Sequence, residues 1–456
     1  MKKIVLTLLA IILSLSAVQW DYEQVIDETG LPAHISILTL DQEDNPHILF
    51  TANDEPQEVN VLKLASPGEE DWFIVEVDEI SQYKNLNFSF DFTPSNDVMI
   101  AYSQVGNSGN LDLYLACDSS TLFDITNLTD DPLLQLDPVV HVGSDGIVRL
   151  VYREQADDGF NIRYGWRDGE GFHSESVKDS MSTHLRGFDF VLDAGNEPHV
   201  FYQGDDAMLW YASRVSENNW SIESLELSGD QPSVMIDGAG YFHIGYMNPP
   251  DIYYVTNGSG TWQEEPAAVN NTGDQNWERP SLALDPEGIP HITWWTWTAP
   301  YHVWSNKVFY IGRAGGTWSE PDSLPPNEHK MLGQINPFQI DTEGYGHICF
   351  TIYNDLYYVK TTEPMHSSIA EQPIEANSFA FEVRGSVVHF SLPESSYFRL
   401  DLYDATGRRV ECLATGFYSV GDHSIPINSA GLSAGVYFIR AEVGGQSASE
   451  KFILMQ

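Results

Sequence analysis

The feature that most constrains this chain is a ten-residue phrase that returns along it. It reads "DPEGIPHITW" from Asp285, and relatives begin at Asp41 ("DQEDNPHILF"), Asp193 ("DAGNEPHVFY"), Asp237 ("DGAGYFHIGY") and Asp341 ("DTEGYGHICF"). Two degenerate copies, "TPSNDVMIAY" from Thr93 and "GSDGIVRLVY" from Gly143, keep the turn and the apolar strand but carry Met99 and Arg149 where the others have histidine. The copies are spaced by 52, 50, 50, 44, 48 and 56 residues, which is the period of a propeller blade or another closed array.

Each unit has the same grammar. An inner strand such as residues 281–284 enters the Asp turn, a second strand such as 291–294 leaves it, and a third follows with a repeated tyrosine: Tyr114, Tyr164, Tyr211, Tyr254, Tyr310 and Tyr358. A fourth strand opens on a large aromatic residue, namely Trp72, Phe123, Phe172, Trp220, Trp262 or Trp318. Short β-branched and aromatic runs between Gly, Asp, Asn and Pro clusters suit hairpin-connected antiparallel sheets. The seventh unit lacks a fourth strand after Tyr358, whereas "WDYEQVID" from Trp20 looks like one at the other end of the chain. The reading is an all-β fold in which a seven-bladed β-propeller over residues 19–362 is closed by its N-terminal strand, which removes open sheet edges. A six-bladed ring, with one degenerate unit as an insertion, is the alternative.

Composition sets limits on partners. With 22 basic and 66 acidic side chains the net charge is -44, which argues against nucleic acid and against an anionic membrane surface. The acidic surface leaves Ca²⁺ open as a ligand, although no EF-hand or RTX spacing occurs. Lys2 and Lys3, a ten-residue apolar run and then Ser14, Ser16 and Ala17 read as a secretory signal peptide over residues 1–18. No later run approaches a transmembrane span. Cys117, Cys349 and Cys412 lie in apolar strand-like runs and are odd in number, so free thiols are expected rather than a disulfide framework.

The repeat resembles the sialidase-like propeller repeats often called BNR repeats, in the form D-x-x-G-x-P-H-I with a Tyr strand and a Trp strand, over roughly residues 20–360. The resemblance implies propeller architecture and leaves function open, since such propellers occur in glycosidases, lectins and adhesion modules. The sialidase turn S-x-D-x-G-x-x-W is not found intact.

After a Pro-, Ser- and Glu-rich linker over residues 363–378 comes a compact β-rich segment, residues 379–456, expected to form an immunoglobulin-like sandwich. Here Gly407 suits a tight hairpin, while Gly421 and Gly435 punctuate alternating runs. The segment resembles the C-terminal sorting domain of type IX secretion cargo. The match rests on Tyr403, Asp404, Gly407 and Arg408 in a first turn, Gly421 at a middle bend, Gly435, Val436 and Tyr437 in a central strand, and Lys451 beginning the terminal strand. It implies passage through the periplasm, the type IX outer-membrane translocon as partner, and release or attachment at the cell surface. The usual Asn-Pro-rich lead-in is missing.

Chemistry is better sought in what differs between units than in what repeats. His47, His199, His243, His291 and His347 occupy one position per blade, so they are spread around a ring and read as structural, as do the turn aspartates. The loop after the second strand of the sixth unit is peculiar to it and holds Trp294, Trp295, Trp297, Tyr301, His302 and Trp304, with Trp277, Glu278 and Arg279 leading into the unit. Aromatic faces beside charged groups suit sugar rings. The favoured reading is a propeller that binds extracellular carbohydrate or another polymer, a glycan or protein, through this loop face. A sialidase-like glycoside hydrolase or a lyase is the enzymatic alternative, in which Arg153, Arg186 and Arg279 would clamp a carboxylate beside Glu278. A structural adhesion or protein-interaction module is the third. Arg153 with Glu154, His184, Asp205 and Asp206 lie on the same inferred face.

Overall fold

Alternating apolar positions bounded by turn residues build antiparallel sheet wherever the repeat occurs, and the computed structural model of the chain is all-β. It describes residues 18–26, 33–54, 59–68, 71–80, 88–119, 122–157, 159–181, 187–270, 276–297, 307–324, 338–352, 355–365, 381–384, 387–392, 396–404, 409–427, 432, 435–443 and 446–454. The expected signal peptide thus falls, but for its last residue, outside the described residues. Among those described, no helix is long and apolar enough to cross a membrane. The chain divides into two compact units, Met1–Ser367 and Ser368–Gln456.

The first unit is a seven-bladed β-propeller. Blade one comprises Ala33–Leu40, Pro46–Asp54, Val59–Pro67 and Trp72–Ile80, paired in that order, and blades two to five repeat the pattern. Blade six consists of Asn276–Leu284, Pro290–Trp297 and Lys307–Ala314, with its fourth position split between Thr317–Trp318 and Asp322–Ser323. In blade seven Gln339–Ile340, Gly346–Ile352 and Asp355–Thr361 are completed by Trp20–Ile26 from the other end of the chain. That strand runs antiparallel to Asp355–Thr361 with Trp20 opposite Thr361 and Glu23 opposite Tyr358. The first strand of each blade touches the first strand of the next around the ring.

Those first strands expose an edge toward the axis, and their N–H groups need acceptors. Side chains from the preceding blade supply them. The N–H of Val140 donates to Ser89 Oγ (3.2 Å), that of Val234 to Asp189 Oδ2 (2.8 Å), that of Leu282 to Ser233 Oγ (3.0 Å) and that of Phe338 to Ser281 Oγ (2.9 Å). Val142 N–H likewise reaches Asp91 Oδ2 at 2.8 Å.

The opposite end of each blade is set by the repeated turn. Its fourth residue has positive φ in all seven copies: Asp44, Asn96, Gly146, Asn196, Gly240, Gly288 and Gly344. Only Gly, Asn and Asp tolerate that conformation cheaply, which is why no other residue type stands there. The anchor aspartate then caps the turn, as where Asp285 Oδ1 accepts the N–H groups of Glu287 (3.0 Å) and Ile289 (2.8 Å).

Register corrects one sequence expectation. Tyr164, Tyr211, Tyr254, Tyr310 and Tyr358 are equivalent, each two residues before the partner of the His position. In blade two that place belongs to Leu115, because Met99 pairs with Cys117 and Tyr114 falls on the other face. The fourth-strand aromatics pack edge-on against the tyrosine of the preceding blade: Trp220 on Tyr164 (5.6 Å), Trp318 on Tyr254 (5.4 Å), Trp20 on Tyr310 (5.8 Å) and Trp72 on Tyr358 (5.3 Å). Cys349 is buried and Cys117 half-buried, and both are free thiols.

The second unit is a sandwich of one three-stranded and one four-stranded antiparallel sheet. Its core gathers Val388, Phe390, Phe398, Leu400, Leu402, Tyr437, Ile439 and Phe452. Gly421 has φ 114°, a conformation for which glycine is suited at a bend. Gly435 opens the strand Gly435–Val443, which is paired on both sides. Lys451 does not begin the terminal strand. That strand runs from Gln446 to Leu454, and Lys451 sits within it opposite Phe438. Gly407 and Arg408 lie outside the described residues.

Candidate functional site

The repeated histidines are absorbed by architecture. Each Nε2 faces the Oδ2 of its own turn aspartate, at 3.4 Å for His47, 3.6 Å for His199, 3.3 Å for His243, 3.5 Å for His291 and 2.9 Å for His347. Nδ1 then accepts the blade's tyrosine hydroxyl at 2.6–2.8 Å in four blades, and bonds Ser66 Oγ at 2.8 Å in blade one, where leucine replaces tyrosine. Burial holds the pKa of His47, His199, His243 and His347 below the ordinary histidine value, against the pull of their aspartates. A neutral imidazole wedged between two fixed partners is a strut that ties turn to third strand.

Arg149, the exception in blade three, does the same job with a different group. Its guanidinium meets Asp145 bidentately (Nη1–Oδ1 2.9 Å, Nη2–Oδ2 2.7 Å) and also donates to Ile147 O at 3.0 Å. That hydrogen-bonding holds Asp145 down at about 2. A second set of struts crosses between blades and was not anticipated from sequence. Glu175 is buried in blade three, where it accepts Arg214 Nε (2.8 Å), Trp220 Nε1 (2.9 Å) and the N–H of Asn218 (2.8 Å), all from blade four. Burial would raise its pKa, but these donors outweigh burial and hold it low. Glu265 does the same for Arg313 and Trp318 across blades five and six. Glu23, Glu175 and Glu265 each stand three residues after a fourth-strand aromatic, so an aromatic-x-x-Glu signal was present in the sequence.

On the inner strands Asp91, His141 and Asp189 of blades two, three and four come together. His141 Nδ1 stands 3.5 Å from Asp91 Oδ2 and keeps 38% side-chain exposure. Burial pushes Asp189 up to about 6, with His141 beside it pulling the other way. Burial also opposes the charged form of His141, yet Asp91 and Asp189 outweigh it and raise its pKa. Because Asp91 and Asp189 each accept a backbone N–H from the neighbouring blade, they read as edge closure.

The aromatic corner of blade six is only partly assembled. Trp294 is 1% exposed, stacked on Phe309 at 5.5 Å, and packed in the core with Ile292 and Ile311. It therefore offers no face to a ligand, contrary to the sequence expectation, because at this point of the strand its side chain turns into the interface with blade five. Trp295, next along, points to the other sheet face and is half-buried. Its Nε1 has no hydrogen-bond partner among the described residues. Register places Glu278 opposite Trp295, Trp277 opposite Thr296 and Asn276 opposite Trp297, so both strands run to the same end of the blade. The side chains of Trp277, Glu278, Arg279 and Trp297, and the whole of Tyr301, His302 and Trp304, lie outside the described residues.

The proposed arginine clamp fares differently. Arg153 pairs with Asp137 of its own blade and lies over the Phe160 ring at 4.8 Å, so its guanidinium is already engaged. Arg186 and His184 lie outside the described residues. Asp206 caps its own loop by accepting Met208 N–H (3.1 Å) and Trp210 Nε1 (3.0 Å). Among the described residues no group of three or more His, Cys, Asp or Glu side chains is placed to hold a metal ion.

Residues 385–455 match the family described as the secretion system C-terminal sorting domain. No curated protein matches the chain. Among solved structures, the lectin of Aleuria aurantia in complex with Fucalpha1-6GlcNAc is 12% identical, with 65% of this chain and 96% of that chain covered and a TM-score of 0.43. The polysaccharide lyase Uly1 is 8% identical over 72% of this chain and 90% of that chain, with a TM-score of 0.45. PorZ, a surface component of the type IX secretion system of Porphyromonas gingivalis, is 10% identical over 90% of this chain and 58% of that chain, with a TM-score of 0.43. The chain is a seven-bladed propeller joined to a type IX sorting domain, and that domain directs it to the cell surface or into the medium.

Proposed function

We propose that this protein is an exported propeller that binds extracellular carbohydrate or another polymer through the face carrying the loops after its second strands. The observation that carries the reading is the division of labour between neighbours in blade six. Trp294 is spent on the core, while Trp295 stands half-buried on the opposite sheet face, at the entrance to a stretch holding Trp297, Tyr301 and Trp304. The Trp295 N–H is itself buried, so what the side chain offers a sugar ring is the part of its aromatic face left open. The sorting domain sends that surface outside the cell, where polymers of this kind are met.

The test is a glycan array probed with the wild-type protein and with Trp295→Ala and Trp297→Ala. Binding that falls at least tenfold in either variant, with unchanged thermal stability, supports the reading. Equal binding by all three proteins refutes it.

A further inference from the structure

A second feature breaks the repeat at the opposite end of the strands. In blades four, five and six the residue paired with the histidine is small: Ser213, Thr256 and Gly312. In blade three both members change together, and Arg149 pairs with Trp166. The arginine reaches away to Asp145, and the indole widens the wall that blade three presents to blade four. Between them opens a cleft of about 190 Å³, whose lining includes Arg149, Trp166, Asp168, Asn196, Glu197 and Arg214. That space equals roughly six waters, the bulk of a single sugar ring.

Its chemistry is balanced. Trp166 is stacked with His173 at 5.1 Å and with Tyr164 at 5.7 Å, and Arg214 lies over its ring at 5.0 Å. The indole is thus held rigidly, and the guanidinium over it, not a bare aromatic face, borders the cleft. The charge on Arg149 is matched by Asp145 and that on Arg214 by Glu175, so an anionic ligand would meet two cations already neutralised, with Asp168 and Glu197 facing it as well. Arg214 Nη1 stands 3.8 Å from Glu197, beyond hydrogen-bond length, and Glu197 is largely exposed. Donor and acceptor thus wait side by side for groups that are both, as hydroxyls are. We propose that the cleft between blades three and four is a binding site for one neutral sugar ring, separate from the blade-six corner.

The test is calorimetric titration of the full-length protein with glucose, galactose, mannose, fucose, N-acetylglucosamine and glucuronate. Arg149→His combined with Trp166→Ser removes the arginine and the indole from the cleft and sets the residue types of blade four at both positions. The turn anchor of blade three is Gly143, which gives a histidine no aspartate to face, so thermal unfolding of this variant is measured beside its binding. Glu197→Ala changes an exposed side chain and serves as a second, fold-neutral variant. Trp295→Ala reports on the other face. Expected are saturable binding of at least one neutral sugar, weaker glucuronate binding, about tenfold loss in Glu197→Ala, complete loss in the double variant and no change in Trp295→Ala. Three results would each overturn the site: no neutral sugar bound, binding retained in the double variant and in Glu197→Ala, or binding lost only in Trp295→Ala. Failure of the blade-six proposal would leave this outcome untouched.

Discussion

Trp72 donates its indole N–H to Glu23 Oε1 across 2.8 Å, joining the outer strand of blade one to the N-terminal strand that completes blade seven. The same indole packs edge-on against Tyr358 at 5.3 Å. The ring therefore closes twice: once by strand pairing within blade seven, and once by this latch to its neighbour. Trp72→Phe keeps the packing and removes the donor. Because Glu23 is exposed, the loss is about 1 kcal/mol or less. Trp72→Ala also removes the aromatic contact and costs about 3 kcal/mol. Thermal unfolding followed by calorimetry should show a shift of a few degrees for Trp72→Ala and a smaller one for Trp72→Phe. Equal melting temperatures in all three proteins would mean that the latch contributes nothing to closure.

The histidine struts make stability depend on pH. Burial lowers the folded-state pKa of His47, His199, His243 and His347 beneath 6.5, so between each folded value and 6.5 the unfolded chain binds more protons. Their stabilisation is complete above 6.5 and is lost as pH falls through the folded values. Asp189 and His141 oppose this: both pKa values are raised, so their contributions are largest on the acid side and fade as pH rises. Four groups act against two, and the melting temperature should fall between pH 7 and pH 5. His347→Gln removes one of the four, and its melting temperature should decline less steeply over the same interval. A decline as steep as wild type would contradict the assignment of a neutral, strut-bound imidazole.

What sequence revealed here depended on repetition. A turn that must have Asp, Asn or Gly at positive φ at its fourth residue, as at Asp44, Asn96 and Gly288, leaves the same mark seven times. The N-terminal clasp was legible because the seventh unit visibly lacked a fourth strand. Side-chain direction was not. Trp294 and Trp295 are adjacent and chemically identical, and only the pleat, which alternates faces, sends one inward and leaves the other half-buried. Tyr114 misled for the same reason, since a one-residue difference in register puts it on the other face and Leu115 in the repeat position. The inter-blade glutamates were overlooked because their partners lie some 40 to 50 residues away in sequence.

The same pleat separates stability from binding in blade six. Trp294→Ala empties a fully buried site stacked on Phe309 and should cost about 3–5 kcal/mol. Trp295→Ala removes a half-buried ring and should cost less than half as much. Chemical denaturation of both variants checks the order. If Trp295→Ala proves the more damaging, the ring belongs to the core and cannot serve as a ligand platform.

The sorting domain allows fold and recognition to be told apart. Tyr437 is buried with Phe398, Leu400 and Ile439, so Tyr437→Ser should unfold the sandwich and stop export through loss of structure. Lys451 is exposed in the middle of the last strand, opposite Phe438, itself 42% exposed. Tyr403 and Arg409 continue that row across the sheet, so the four side chains share one outward face. Lys451→Glu leaves the core intact and cancels the net positive charge that Lys451 and Arg409 give that row. Deleting residues 385–455 should leave the propeller in the periplasm. Fractionation of cells carrying each form, with protease sensitivity as the check on folding, distinguishes the cases. A folded Lys451→Glu protein retained in the periplasm would place recognition on this face. Normal export of that variant would move recognition elsewhere on the sandwich, and normal export of the deletion would show that the propeller reaches the surface without the domain.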